Sequence, residues 1–379
     1  MDFNLSKTQE MTVKMVAEFA EKELAPSIAE RDEHEIFDLD IMAKLGQVGL
    51  MGVPYPKEYG GAGAGDVAYA LSVAELAKVD PSTAIGVSVH TSLATWPIFK
   101  YGNAEQKAKY LPRLTTGQSM GSFGLTEPNA GTDVSGAQTT AVLDGDHYVL
   151  NGTKIFITNA GDSEIYVVFG LTDKSKGPKG MSAFIVEKGT PGFTFGKPEV
   201  KMGIRASVQR ELSFENCRVP KENLLGKEGD GFKIAMTTLD GGRIGVAAQS
   251  LGIAEGAYNL ALQYSKERKQ FGKPISAQQW VNFTLADMKM RIEAARHLVM
   301  KAAWTKESGK PYSEEAAIAK CFASDVAMWV TTNAVQIHGG YGYTREYSAE
   351  RFMRDAKICQ IYEGTNQAMR MIVAGSILR

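Results

Sequence analysis

Apolar residues recur at helical spacing at both ends of this chain and alternate with polar ones through its middle. From Leu5 to Ile28 apolar and charged residues interleave as in a surface helix, with Pro26 near the end. PYPKEYGGAGAG, residues 54–65, interrupts the pattern, and its Pro and Gly content predicts a loop. Helical spacing resumes at Asp66 and runs to Lys78. The next run, Pro81 to Phe99, is almost uncharged, which predicts a helix buried on every side. Pro81 suits its first turn and Asp80 its cap.

Near residue 120 the period changes to two. TTAVLDGDHYVLNGTKIFITNA, residues 139–160, holds an Asp-Gly pair at 144–145 and an Asn-Gly pair at 151–152, both hairpin signals. IYVVFGL, MSAFIVEK and RELSFENC read as further strands. From Gly229 onward helical spacing returns. Leu285, Met288, Ile292, Ala295 and Val299 fall on one face, as in the core of a helix bundle. The expected architecture is α+β and mostly α, in three units. An N-terminal α-helical domain spans 1–118, a middle antiparallel β domain with its own core spans 119–228, and a C-terminal four-helix-bundle domain spans 229–379.

Composition narrows the function. The 379 residues carry a net charge of −1, without the basic bias of a nucleic-acid binder. MDFNLSKTQEMTVK has no basic start and apolar run, and the first Arg is Arg31, so neither a secretory signal nor a transit peptide is expected. No apolar stretch suggests membrane insertion. Cys217, Cys321 and Cys359 are odd in number and far apart, which predicts free thiols, a reducing compartment and a cytoplasmic protein. There is no P-loop, no strand-linked G-x-G-x-x-G, no H-E-x-x-H and no G-x-S-x-G. GGAGAG at 60–65 has the wrong spacing for a dinucleotide fold.

Six segments occur in a characteristic order: FGLTEPNAGTD (123–133), KIFITNAG (154–161), LLGKEGDGFKIAM (224–236), LDGGRIGVAAQSLG (239–252), ERKQFGKPIS (267–276) and VQIHGGYGYTREYSAERFMRDAKICQIYEGTNQ (335–367). Together they make the chain resemble the acyl-CoA dehydrogenase family over nearly its whole length, and within it the bacterial butyryl-CoA (short-chain) members. The resemblance implies a helix bundle, β domain, helix bundle fold. It further implies FAD held without a Rossmann domain, a homotetramer, an acyl-CoA substrate and an electron-transfer flavoprotein as partner.

The chemistry so implied removes a proton from the carbon next to a thioester carbonyl, while a hydride leaves the following carbon. It needs a positioned base and donors to the enolate oxygen. Glu363, in IYEGT, matches the family's base, and its backbone N–H matches a donor to the thioester carbonyl. Thr126 and Thr158 match hydrogen-bonding partners of the isoalloxazine, with Phe123, Leu125 and Phe156 in the same segments. Many relatives carry Trp where Phe156 stands, so the ring is kept and the N–H lost. Arg268, Gln270, Phe271 and Gln279 match positions around the pyrophosphate and adenine of a neighbouring subunit's FAD, where the planar Arg fork suits phosphate. Gln336, Gly339 and Gly340 match another FAD segment, and Thr365 and Gln367 complete the flavin side. Thr132, Asp240, Arg243 and Gly364 match CoA-thioester contacts, although Arg243 reads equally as an ion-pair partner of Asp240.

Some relatives place the base on the helix that here begins LDGGR, at the position of Gly242, which has no side chain. Residues 87–99 resemble the helix that closes the acyl pocket in short-chain members, with Thr95, Trp96 and Pro97 at its tip. No Lys or Arg lies between 81 and 99 to meet a dicarboxylyl tail. Other readings are a different chain length or a branched substrate, an oxidase using oxygen, or a non-catalytic flavin-fold protein. Family oxidases carry a further C-terminal domain and a non-catalytic protein would not need Glu363, so a dehydrogenase is expected.

Overall fold

The computed structural model describes residues 4–378. The outermost residues of the first and last expected units, 1–3 and 379, lie outside the described residues, as does the start of the stretch read against a signal sequence.

The first helices are Lys7–Phe19 (α1), Ile28–Glu33 (α2), Leu39–Gln47 (α3), Gly65–Ala77 (α4), Pro81–Ser88 (α5), Trp96–Tyr101 (α6) and Ala104–Thr115 (α7). A capping box starts α1: the Ser6 hydroxyl accepts from the Gln9 N–H, and the Gln9 side chain accepts from the Ser6 N–H. The single helix expected from Leu5 to Ile28 is instead interrupted. It passes into a π turn at Ala20–Leu24, and the chain restarts as α2 just after Pro26. Asp80 caps α5 as expected, accepting from the N–H groups of Ser82 and Thr83 at 2.9 and 3.0 Å. The apolar run 81–99 is buried but is also not one regular helix. Val89–Thr95 winds as a π-helix before α6 begins.

The middle strands are Gly121–Gly124 (β1), Thr140–Asp144 (β2), His147–Thr158 (β3), Ile165–Leu171 (β4), Met181–Glu187 (β5), Phe193–Phe195 (β6), Gln209–Pro220 (β7) and Leu224–Leu225 (β8). They join in the order β6-β7-β3-β2-β4-β5-β8. The sheet is mostly antiparallel, as expected, with two parallel pairings: β1 runs parallel to β4, and so does the start of β2, through Thr140 and Leu171. The Asp-Gly pair makes the expected tight β2–β3 turn, with Gly145 at φ 64°. The Asn-Gly pair does not make a hairpin. It lies inside β3 at a bulge between Leu150 and Gly152. Gly152 has φ 147°, and a Cβ there would stand 2.7 Å from Thr139 Cα. Asn-Gly favours unusual backbone in bulges as well as turns, so the local signal was real and its context was not readable. The sheet's core is likewise only half its own. Tyr166, Val168, Phe184 and Val186 close one face with other strand residues, while Ile165, Val167 and Phe169 on the opposite face join the core of the helices.

Helix Gly231–Glu267 (α8) follows and spans about 55 Å at 1.5 Å per residue. A two-residue hairpin joins Lys269–Gln270 (β9) to Lys273–Pro274 (β10). Then come Gln279–Glu307 (α9), Ser313–His338 (α10), Ala349–Cys359 (α11) and Asn366–Ile377 (α12). The predicted α9 stripe, Leu285, Met288, Ile292, Ala295 and Val299, is buried throughout. Glycines on α8 let it approach the N-terminal helices closely: a Cβ on Gly252 would meet the Ala74 carbonyl oxygen at 2.1 Å. The three parts meet at Asp355, which burial pushes up to about 6 although Arg351 faces it and the Ile204 N–H donates to it. Beside it Arg354 pairs with Asp32 of the first helices at 2.6 Å.

Candidate active site

Glu363 sits in the short connection between α11 and α12. Both Glu363 and Gly364 are left-handed, with φ 52° and 97°. For a side-chain-bearing residue this conformation costs on the order of 1 kcal/mol and persists only where the surroundings hold it. Three groups do so. Arg243 Nε donates to the Glu363 carbonyl at 3.2 Å, Lys320 Nζ donates to the Gly364 carbonyl at 2.6 Å, and the Thr365 hydroxyl caps α12 by accepting from the Ala368 N–H at 3.2 Å. Residue 363 as a whole is only half-buried, yet both carboxylate oxygens are sealed from solvent and have no hydrogen-bond partner among the described residues. Burial therefore pushes the carboxyl up to about 8, with Arg243 and Lys320 opposing the rise. A carboxylate so placed is a far stronger base than one in water. It faces α8 where α8 has no side chain: a Cβ on Gly242 would lie 2.0 Å from Glu363 Oε2 and 2.6 Å from Leu93 Cδ2.

Of the two readings open in the sequence, the structure shows the ion pair of Arg243 with Asp240. Arg243 is buried, it pairs with Asp240 at 2.6 Å, and it reaches the carbonyl beside the base. Asp240 is raised by burial against the pull of Arg243, and it also accepts from Ser313 Oγ at 3.0 Å. Asp240, Arg243, Glu363 and Gly364 thus form one cluster, while Thr132 lies apart on an exposed loop.

The segments expected to face the flavin meet at the end of β3. Phe123 and Leu125 are core residues and offer a ligand little surface. Thr126 is half-buried, and its carbonyl accepts from the Ile155 N–H at 2.9 Å. The next residue, Phe156, sits at a second β3 bulge with φ 60° and leaves 61% of its surface exposed. Thr158 Oγ1 accepts from Gln209 Nε2 at 3.2 Å. Sequence reasoning missed what fixes this corner: buried Lys154 pairs with Glu127 at 2.7 Å, and Glu127 also accepts from the N–H groups of Gln138 and Thr139.

A separate cavity of about 470 Å³ is lined by Arg268, Gln270, Gly339 and Gly340, with Tyr264 and Tyr341. Arg268 makes no ion pair among the described residues and stacks on the Tyr341 ring at 5.6 Å. Cβ atoms on Gly339 and Gly340 would meet nothing within 4 Å, so the backbone there is open to a ligand. Gln279 and Gln336 are exposed and outside this lining, as is Gln367 beside Thr365 at the start of α12. Phe271 stands at the tip of the β9–β10 hairpin, 91% exposed, with φ 52°. An unpaired guanidinium over open glycine backbone fits a pyrophosphate, and a strained, uncovered Phe156 ring beside Thr126 and Thr158 fits a flat aromatic ligand. The residues present therefore fit FAD.

Three family descriptions match the chain: "Acyl-CoA dehydrogenase, N-terminal domain" over residues 6–118, "middle domain" over 122–217 and "C-terminal domain" over 229–378. The chain belongs to the acyl-CoA dehydrogenase family. It is 56% identical over 379 residues to the short-chain specific acyl-CoA dehydrogenase of Clostridium acetobutylicum, with both chains covered in full. It superposes at TM-score 0.99 on butyryl-CoA dehydrogenase from Megasphaera elsdenii, at 56% identity and full coverage of both. A chain from the structural study of the electron transferring flavoprotein of Acidaminococcus fermentans, concerned with flavin-based electron bifurcation, matches at TM-score 0.99 and 61% identity, again over both full lengths. As an acyl-CoA dehydrogenase this chain is an oxidoreductase with FAD as cofactor. Among the described residues no helix is long and apolar enough to cross a membrane, and no group of three metal-ligating side chains occurs.

Beyond the corner at Glu127, one residue close to the base was also missed. Lys320 lies in AAIAKCFASD, a lone cation in a run of small and apolar residues, and its side chain is fully buried. That mismatch was the available signal, but sequence could not say which carbonyl the ammonium would meet.

Proposed function

We propose that this chain dehydrogenates short, unbranched acyl-CoA thioesters at the α,β bond, with Glu363 as base, and exchanges electrons with an electron-transfer flavoprotein. The observation that carries the reading is the pair of buried Glu363 carboxylate oxygens, unpartnered among the described residues and packed against the bare backbone of Gly242. Glu363 takes the proton from the carbon next to the thioester carbonyl, and its own N–H donates to that carbonyl as negative charge develops on the oxygen. Arg243 and Asp240 bind the CoA side together with Thr132 and Gly364. When bound, FAD supplies the acceptor for the hydride leaving the neighbouring carbon. Thr126, Thr158, Thr365 and Gln367 orient the flavin end, with Phe156 and the backbone of Phe123 and Leu125 against it. Arg268, Gln270, Phe271, Gln279, Gln336, Gly339 and Gly340 serve the dinucleotide end across a subunit boundary of a homotetramer. The working units are 1–118, 119–228 and 229–379, and the compartment is the bacterial cytoplasm.

The residues packed beside Gly242 and at the tip of the 87–99 segment bear on chain length. Leu93 reaches toward Gly242 from the π-helix, and half-buried Trp96 packs edge-on against Tyr101 at 6.0 Å. A cation does stand near this tip: Lys306 Nζ lies 5.7 Å from the Trp96 ring centre. It pairs with Asp66 at 2.7 Å, so it is already neutralised and does not invite a dicarboxylyl tail. Butyryl-CoA should therefore give a higher kcat/KM than octanoyl-CoA or glutaryl-CoA in anaerobic flavin bleaching. A preference for octanoyl-CoA would refute the short-chain reading.

Arg268→Ala tests the second cavity. Loss of the guanidinium removes paired, charge-assisted bonds to phosphate, each worth roughly 1.5–3 kcal/mol. The purified variant should carry markedly less FAD per chain and regain it on adding excess FAD. Unchanged FAD affinity would remove Arg268 from the cofactor site.

A further inference from the structure

Two consecutive left-handed residues aim the carboxylate of Glu363, and each offers its carbonyl to a buried cation from a different helix. Arg243 on α8 takes the first and Lys320 on α10 takes the second. We propose that Lys320 is a positioning residue for the reaction: its ammonium fixes the Gly364 carbonyl, and its charge sets how readily the neighbouring base gives up and takes a proton. The inference rests on Glu363 being the base.

The lysine is itself held. Its Nζ also donates to Asn366 Oδ1 at 3.0 Å, and Asn366 Nδ2 in turn donates to Ser324 Oγ at 2.9 Å and Asp325 Oδ1 at 2.8 Å. Among the described residues the ammonium has no carboxylate in direct contact, only a carbonyl and an amide oxygen. Burial accordingly draws it down to about 8, while Cys359, Glu363 and Cys321 raise it and Arg243 lowers it further. A buried cation without a counter-ion is costly and would serve packing no better than a methionine. Around Glu363 the charged neighbours are Arg243 and Lys320, and both stabilise its ionised form. The other ionisable groups that feel its charge are Tyr69 from α4 and Tyr362 from its own connection. Leu93 and the bare backbone of Gly242 complete the wall. Of the two cations, only Lys320 is without a carboxylate partner, since Arg243 is shared with Asp240.

The test is Lys320→Met, close in length and uncharged, beside Lys320→Arg. The protonated Glu363 carboxyl gives an infrared band in the resting holoenzyme, identified by its loss in Glu363→Gln. Losing the nearby positive charge makes ionisation of Glu363 harder, so in K320M this band should persist to higher pH. Flavin bleaching at saturating butyryl-CoA should slow at least about tenfold, because small errors in placing a base are costly, while the Kd for butyryl-CoA changes less than threefold. K320R keeps the charge and should hold the band near its wild-type titration, with a rate between the two. If K320M is recovered without FAD, K320Q carries the same test, being neutral but still able to donate. A neutral variant that bleaches within twofold of wild type, or releases the Glu363 proton at the wild-type pH, overturns the proposal. The infrared readout is independent of catalysis. A shifted band in K320M with rapid bleaching by Glu363→Gln would instead remove Glu363 as the base.

Discussion

Glu363→Gln should slow flavin bleaching by saturating butyryl-CoA at least about a hundredfold, the usual cost of losing a general base, while leaving FAD and acyl-CoA binding intact. Gln is nearly isosteric, so the left-handed backbone and its two carbonyl contacts survive. What disappears is the acceptor for the proton. Stopped-flow bleaching without oxygen measures this directly, and near-wild-type bleaching would show that another group takes the proton. Wild-type kcat/KM should also rise with pH until about 8, because that parameter reports the free enzyme, in which burial holds the carboxyl at about 8.

The same substitution has a consequence for stability. The folded chain holds the Glu363 proton to higher pH than the unfolded chain does. The stability linked to that proton is therefore full below the ordinary carboxylate range and is lost as pH rises through about 8. Glu363→Gln carries no such penalty. Its thermal midpoint should draw ahead of wild type between pH 6 and pH 9, by an advantage of roughly 2 kcal/mol per chain or more. A constant difference across that range would mean that Glu363 is not held protonated by burial.

Periodicity alone located the helical ends, the β middle and the α9 stripe, because each is dictated by burying an apolar face. It failed where a local signal has two structural uses. Asn151-Gly152 reads as a turn but forms a bulge, since only the neighbouring strand reveals that β3 continues past it. The run from Pro81 to Phe99 reads as one helix, but its π turn at Val89–Thr95 leaves no mark in the spacing. At the site, Glu363 was legible only through motif likeness, because 43 acidic residues offer no other way to choose among them. Lys320 and Lys154 escaped because a buried lysine is recognised by its partners, which lie 44 and 27 residues away in sequence.

Moving the base from the α11–α12 connection to α8 gives the second large effect. A Cβ on Gly242 would sit 2.0 Å from Glu363 Oε2, a distance no real pair of atoms tolerates. Gly242→Glu in the wild-type background should therefore displace Glu363 and depress the rate, since two carboxylates would also compete for one dry site. Glu363→Gly alone should be nearly inactive. It removes the carboxylate, and glycine keeps the positive φ without strain. In the double variant, Glu363→Gly with Gly242→Glu, the new side chain enters the space just vacated. Its Cβ lies 2.0 Å from where the old oxygen was, so its carboxylate enters the vacated space and approaches the same proton from α8 rather than from the α11–α12 connection. Leu93 Cδ2, 2.6 Å from that Cβ, has to yield, which the end of a flexible side chain can do. Recovery should be real but partial, because an error of about 1 Å in placing a base costs about a hundredfold. The double variant should bleach at least about tenfold faster than Glu363→Gly and remain well below wild type. If it retains FAD, binds butyryl-CoA and yet bleaches no faster than Glu363→Gly, then positions 242 and 363 do not address a common proton.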